Sequence, residues 1–502
     1  MKILEHVKSI CPVCFLEGKI QKIDAEIIEE ETKVWMVKQC QKHGSFKEIY
    51  WNDIELYNKW MHYKITGEPV ADVKTSLFND PQLYNEHTSQ PMLTNLIVTN
   101  RCNLQCSYCY LNAGISGYVY EPTMGQLRKL MQQTRNEKPI GSQAIQITGG
   151  EPTLRDDLIK IIRLARQSGF KHIQLHTNGL RLAKDLEYCR RLKNENVNTI
   201  YLSFNGTTEQ TNPLINQNKR AIENLRNVKM DVVLVPVLIG GNNIQEAGKI
   251  VRFAIDNLDI VRGVHFQPIS FCGRAITMNN EQRKNQRVDY INILECIEKE
   301  FSGELTRDDF YPTSFVFPIL KFIEIMTHDP QIKSTAHPGC GGSTLFFIDD
   351  GKLIPVPRFV DIEADMKFLS EQSEKTGPLR KLRIGTAFIR NIHTFVDYEK
   401  APKGFDSKQL LKDASVLGSR YALRNFYFKS LFVGFMWHQD PWNLNIDRLQ
   451  RCVIHCPTPE GIIPFCSYIG LGYGEKIHKK YSLSIEEWEK KNNKKLQDDI
   501  CI

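Results

Sequence analysis

Between residues 92 and 305 the chain repeats one beat six times, an apolar run of strand length followed by a helical pattern. The runs are "LTNLIVTN", "AIQITGG", "HIQLHTNG", "TIYLSFNG", "DVVLVPVLIGG" and "VRGVHFQPIS". Between them lie amphipathic stretches such as "LRDDLIKIIRLARQSGF", with apolar residues at 158, 161, 162 and 165, and "NIQEAGKIVRFAIDNL". A strand that crosses over through a helix returns parallel to its predecessor. Six such units in series predict an α/β fold, a partly closed parallel barrel with its site at the carboxyl ends of the strands. Thr177, Asn178, Ser203, Asn205 and Gln267 stand at those ends and become candidate ligand contacts by position. For each of them a polar strand cap is the competing reading.

The loop leaving the first run reads "VTNRCNLQCSYCY" and places Cys102, Cys106 and Cys109 within eight positions. The chain holds fourteen cysteines and opens without the apolar core of an export signal, which favours metal ligation or redox chemistry over a disulfide framework. Three thiolates on one loop suit an iron-sulfur cluster with one iron left open to a ligand. A zinc knuckle would need a fourth ligand to close its tetrahedron. The net charge of +7 is mild and fits an ordinary solvated surface as well as a polyanion. No stretch of 18 uncharged apolar residues occurs, so a membrane span is not expected. The expectation is a cytoplasmic protein, with peripheral membrane contact as an added possibility.

The C-x3-C-x2-C spacing, with Tyr108 before the last cysteine, resembles the cluster motif of radical S-adenosylmethionine (SAM) enzymes. "AIQITGGEPTL", at the next strand end, resembles their GGE motif through Gly149, Gly150 and Glu151. The resemblance implies a six-unit partial barrel, a [4Fe-4S] cluster on the three cysteines, and SAM bound through its amino group at the GGE turn. It also implies SAM contacts from Tyr108, Thr177, Ser203, Asn205 and Gln267, and catalysis centred on Cys102, Cys106 and Cys109.

Two further cysteine patterns flank this core. In the first ninety residues, "CPVC" and "CQKHG" supply Cys11, Cys14, Cys40 and His43, a spacing suited to one tetrahedral metal, zinc or rubredoxin-like iron. A closed four-ligand site is structural, and the acidic "EIIEEETKVW" beside it speaks against nucleic acid. Beyond residue 305, "CGGSTLFFIDDGKLIPVPRF" and "CVIHCPTPEGIIPFCSY" are echoes, each a strand, an acidic-Gly turn and a strand ending in Ile-Pro. The second is similar to the auxiliary-cluster hairpins of SPASM and twitch extensions. Eight residues lie between its Cys452 and Gly461, one short of the usual gap, and the first echo has Val356 where a cysteine would stand. One auxiliary [4Fe-4S] cluster is expected on Cys340, Cys452, Cys456 and Cys466, with Cys272 as a candidate ligand of a second. Cys189 and Cys296 read as core, and Cys501 as a terminal thiol. "SFVFPILKFIEIM" and "YALRNFYFKSLFVGFMW" read first as core helices, and second as an apolar tunnel or a membrane-resting face.

The whole series resembles, over nearly its full length, the archaeal tetraether lipid synthase family, a group also assigned to methylation in pterin biosynthesis. That resemblance implies an α/β barrel at 91–305 between an N-terminal metal module at 1–90 and an α+β auxiliary-cluster and substrate region at 306–502. It further implies carbon-carbon bonds formed between methyl carbons of two isoprenoid ether-lipid chains, more than one auxiliary cluster, and an external donor such as a ferredoxin or flavodoxin. The alternatives are a radical SAM methylase or peptide maturase acting on a pterin or peptide, and a non-catalytic iron-sulfur or zinc binding module.

Overall fold

In a computed structural model, the described residues are 1–64, 89–138, 140–327, 335–377, 379–403, 405 and 430–499. All six expected strands form: Leu93–Thr99, Ala144–Gly149, His172–Thr177, Thr199–Ser203, Val232–Val235 and Val261–Pro268. They pair in that order and every pair is parallel. Residues of one parity, among them Ile145, Ile147, Ile173, Leu175, Ile200 and Leu202, are fully buried in the same core as Leu158, Ile161 and Ile162 of the helix Leu158–Gln167. The other parity is polar for long stretches, with Gln146 Nε2 donating to Asn95 Oδ1 (3.1 Å) on the neighbouring strand. The sheet therefore has an oily outer face under the helices and a hydrogen-bonding inner face.

The chain beyond residue 306 extends this sheet rather than building another of comparable size. Ser430–Met436 pairs parallel with Val261–Pro268 and antiparallel with Gly341–Asp349. At the opposite edge Ile454–Thr458 pairs parallel with Leu93–Thr99. Both sequence echoes are antiparallel hairpins, Gly341–Asp349 with Lys352–Pro355 and Ile454–Thr458 with Gly461–Pro464. The two edges of the barrel sheet are thus covered by strands from the same C-terminal region.

One expectation is corrected. Of the stretch read as a helix at 421–437, residues 421–429 lie outside the described residues and Ser430–Met436 is a strand. Its period is two: Leu431, Val433 and Phe435 are buried and Phe432 is exposed, a pattern a short aromatic-rich run conceals when it is read at helical spacing. The other apolar stretch does contain a helix, Phe317–Thr327, whose Ile319 and Phe322 pack against Ile362, Met366 and Leu369.

The N-terminal module is a four-stranded antiparallel meander, Lys2–Ile10, Lys22–Glu30, Lys33–Cys40 and Gly44–Trp51, followed by the helix Ile54–Met61. It is joined to the barrel by rings and by buried charge. Trp60 stacks on Phe435 with centroids 6.1 Å apart. Lys38, wholly buried, donates to Ser9 Oγ (3.1 Å), Ile10 O (3.2 Å) and Pro441 O (2.8 Å), and burial pulls its pKa down to about 7 against the opposing pull of Asp440 and Glu48. Arg287 reaches both oxygens of buried Asp440 (3.1 and 3.2 Å), and Arg283 pairs with Glu48. A buried pair of this kind contributes little net stability while complete and costs several kcal/mol when one member is removed. It ties module and barrel into one unit.

Gly342 is where this joint is tightest, because a Cβ there would stand 2.0 Å from the Trp60 ring. Gly342→Ala is expected to cost about 1–3 kcal/mol in urea unfolding; an unchanged midpoint would show that the ring swings aside freely.

Candidate radical and metal sites

Two separate centres are built from the expected residues. In the N-terminal module, Cys11, Cys14, Cys40 and His43 offer one donor atom each, all within 4.8 Å of one another. His43 Nδ1 lies 3.4 Å from the sulfurs of Cys11 and Cys14 and 3.8 Å from that of Cys40, and Cys14 and Cys40 sulfurs are 3.9 Å apart. Zinc-thiolate bonds of about 2.3 Å at a tetrahedral angle put sulfurs about 3.8 Å apart, so the set fits a single ion. Glu17 Oε1 stands 3.3 Å from His43 Nε2 and fixes which ring nitrogen faces the metal. Burial pushes the Cys14 thiol up to about 11, while backbone amides of His43 and Lys42 hold Cys40 down to about 7 against its own burial. Sequence spacing picked out the four residues that the fold brings together; Glu17 carried no signal, since it precedes the second knuckle by more than twenty residues.

The second centre opens at the carboxyl end of the barrel. One cavity of about 440 Å³ is lined by Cys102, Cys106, Cys109, Tyr108, Gly149, Gly150, Glu151, Thr177, Asn178, Ser203, Asn205 and Gln267, every residue expected there. His176 and His438, which the sequence reading missed, line it too. The cysteine loop contains turns but no regular element, so tertiary contacts must hold it. Leu104 N donates to Cys102 Sγ (3.4 Å) and Ala113 N to Cys109 Sγ (3.5 Å). Burial pushes the Cys102 and Cys106 thiols up, so they ionise on taking a metal rather than as free thiols. Amide donors to sulfur, and three thiols opening on one cavity, are what cluster thiolates require.

The GGE turn works on the chain itself. Gly150 N donates to Thr99 O and Glu151 N to Arg101 O, both at 2.8 Å. A Cβ on Gly149 would meet Thr99 O at 2.2 Å, and one on Gly150 would meet Arg101 O at 2.1 Å. Glu151 is buried, and burial raises its pKa against four donors. Thr153 N (3.0 Å), Thr153 Oγ1 and Thr177 Oγ1 (2.7 Å) reach Oε1, and Asn178 N reaches Oε2 (2.8 Å). Oε2 keeps a lone pair for a ligand ammonium. Asn205 Nδ2 donates to the Tyr108 hydroxyl while its Oδ1 accepts from Val237 N (2.9 Å), and Ser203 Oγ lies 3.5 Å from His176 Nε2.

Four more cysteines gather in a second buried cluster. Cys272, Cys452, Cys456 and Cys466 share one buried cluster, and Arg448 Nε donates to the sulfur of Cys340 (3.4 Å). Cys452 and Cys466 are hydrogen-bonded to each other, which lowers the first and raises the second to about 12. Among the described residues these sulfurs do not form a tight group of the kind seen in the N-terminal module. Cys189 is core, as expected, and Cys501 lies outside the described residues.

Residues 96–254 match the family model of the radical SAM superfamily, and residues 3–52 match that of the HMPTM N-terminal zinc ribbon domain. A 7,8-dihydro-6-hydroxymethylpterin dimethyltransferase from Methanocaldococcus jannaschii is 38% identical over 98% of both chains. The chain belongs to the radical SAM superfamily, in the zinc-ribbon family of that dimethyltransferase. A GTP 3',8-cyclase of Peptoclostridium acidaminophilum is 30% identical over 40% of this chain and 64% of its own. Among solved structures, methylornithine synthase matches with a TM-score of 0.30 and 14% identity over 49% of this chain and 77% of its own. The cofactors of this radical SAM protein are SAM and a [4Fe-4S] cluster, with a further metal in the ribbon.

The expectation of tetraether lipid synthesis is corrected by these findings, because the relative aligned from end to end is described by a pterin substrate. The reason is chemical: cluster loop, GGE turn and barrel generate the reactive species and are common to the superfamily, so they do not specify what it attacks. The expected lipid substrate and membrane contact fall with that reading. Among the described residues no helix is long and apolar enough to cross a membrane.

Two outcomes test the sites. Glu17→Gln removes the carboxylate behind His43 and is expected to weaken zinc binding about 10–100-fold in a chelator competition. Gly149→Ala is expected to abolish SAM cleavage while the ribbon keeps its zinc, measured as 5'-deoxyadenosine formed and metal bound in one preparation; normal cleavage would show that the turn relaxes around a methyl group.

Proposed function

We propose that the chain is a radical SAM methyltransferase acting on a pterin. The observation that carries this reading is the end-to-end likeness to the dimethyltransferase, joined to a cavity in which three thiols, the GGE turn and the polar strand ends converge. Within that reading, Cys102, Cys106 and Cys109 hold the cluster, Glu151 takes the amino group of SAM, and Ser203, Asn205 and Gln267 contact the rest of it. Bound there, SAM and the cluster supply one-electron chemistry able to take hydrogen from an unactivated carbon. Asn205 fixes the Tyr108 ring beside the cluster loop, and the apolar wall of Leu111, Val235 and Val237 keeps water off the reacting carbon.

An auxiliary cluster on Cys452, Cys456, Cys466 and Cys340 belongs to the same proposal. A cubane spreads its ligands more widely than a single ion does, which suits buried Cys452, Cys456 and Cys466 with half-buried Cys340, a set that does not close into one tight four-donor group. His438 connects the two centres, since its ring lines the SAM cavity and hydrogen-bonds the Cys466 sulfur. An external electron donor completes the system.

The test is turnover of the anaerobically reconstituted chain with SAM labelled in its methyl group and with 6-hydroxymethyl-7,8-dihydropterin. Label in the recovered pterin, lost in the Cys102→Ala/Cys106→Ala/Cys109→Ala variant, is the expected result. Formation of 5'-deoxyadenosine with no change in the mass of any pterin would overturn the substrate assignment and leave the superfamily assignment standing.

A further inference from the structure

We propose that Arg274 is the positioning residue of the cysteine loop and supplies the positive charge that sets the reduction potential of the cluster held there. The inference rests on superfamily membership and is independent of the pterin reading.

Arg274 lies outside the cysteine and GGE motifs, in "SFCGR" just after the last barrel strand. Its backbone N donates to Cys109 O (2.9 Å). Its guanidinium donates from Nη1 to Cys106 O (2.7 Å), from Nη2 to Ala113 O (2.7 Å), and more weakly from Nε to Asn112 Oδ1 (3.4 Å). One side chain therefore spans the loop from its second cysteine to the residue whose amide donates to Cys109 Sγ. Gly273 makes the approach feasible: its φ is +54°, and a Cβ would stand 2.4 Å from Tyr110 O and 2.5 Å from Cys109 O. Only a planar fork with several fixed donors reaches these carbonyls together; an ammonium does not.

Every one of these partners is neutral, and among the described residues no carboxylate pairs with Arg274. Arg101 and Arg155, which also hold the loop and strand ends, are by contrast matched by Glu121, Asp499 and Asp157. The Arg274 charge is thus left to act on the loop. Reduction by an external one-electron donor adds a negative charge to a cluster that its thiolates make anionic, so an uncompensated cation favours the reduced form and raises the potential.

The full chain is reconstituted as wild type, Arg274→Gln and Arg274→Lys, with iron, sulfide and zinc counted. The cluster whose electron paramagnetic resonance signal changes on adding SAM is then titrated potentiometrically. Arg274→Gln is expected to titrate at a more negative potential, Arg274→Lys near wild type, and both to form 5'-deoxyadenosine at least tenfold more slowly because the fork is gone. An Arg274→Gln cluster with wild-type potential and signal would overturn the proposal. Where Arg274→Gln fails to retain its cluster, the lysine variant decides: full iron at wild-type potential supports the assignment, and equal loss of iron overturns the role of charge.

Discussion

The catalytic end of this protein depends on backbone meeting backbone without side chains between. The cysteine loop has no regular hydrogen-bonded structure, yet three sulfurs must be presented in fixed relation. The constraint that fixes them is the seating of Gly149 and Gly150 against the carbonyls of Thr99 and Arg101. Because the two parallel strands end side by side, the amides of residues 150 and 151 continue the ladder into the loop. Glu151 is then delivered into the core, where hydroxyls and an amide from the next strand end hold it. Three consecutive strand ends are locked by one turn, and a carboxylate left with one free acceptor faces the cavity.

A second layer of restraint comes from far along the chain. Arg101, next to the first cysteine, is gripped by Glu121 and by Asp499, and its guanidinium lies over Trp488 (4.5 Å). Arg274 grips the other side of the loop from the end of the barrel. The C-terminal region therefore helps define the radical site besides carrying its own cysteines, consistent with its strands covering both edges of the barrel sheet.

Much of this was legible in the sequence, for identifiable reasons. Six strands were readable because each is an apolar run bounded by turn residues, and the parallel order follows from the helices between them. The four donor residues of the ribbon and the cysteine loop were readable because each falls in short Cys/His spacings of the kind metal sites use. Ser430–Met436 was not, since both its partners lie more than eighty residues earlier in the chain and only pairing reveals its period. His176, Arg274 and His438 were missed for a different reason: each is one polar residue at an ordinary position, and only the closed barrel brings them to the cavity and its loop. Substrate was the least legible feature, because the motifs dense enough to recognise are those that make the radical.

The arrangement of charge explains how one cavity serves chemistry that water would quench. Among the described residues Glu151 is the only carboxylate that lines it, and no Lys or Arg does; four donors reach the Glu151 oxygens. Burial keeps His176 neutral by lowering its pKa to about 4, and the same holds for His265 on the last barrel strand. Arg101, Arg155 and Arg274 spend their donors on carbonyls and carboxylates of the chain, behind the lining. A lining of this composition binds through hydrogen bonds and apolar contact, which suits a heterocycle or a hydrocarbon better than a phosphate. Arg274 in particular holds the loop from behind, where its uncompensated charge faces the cysteine loop and its side chain does not line the cavity.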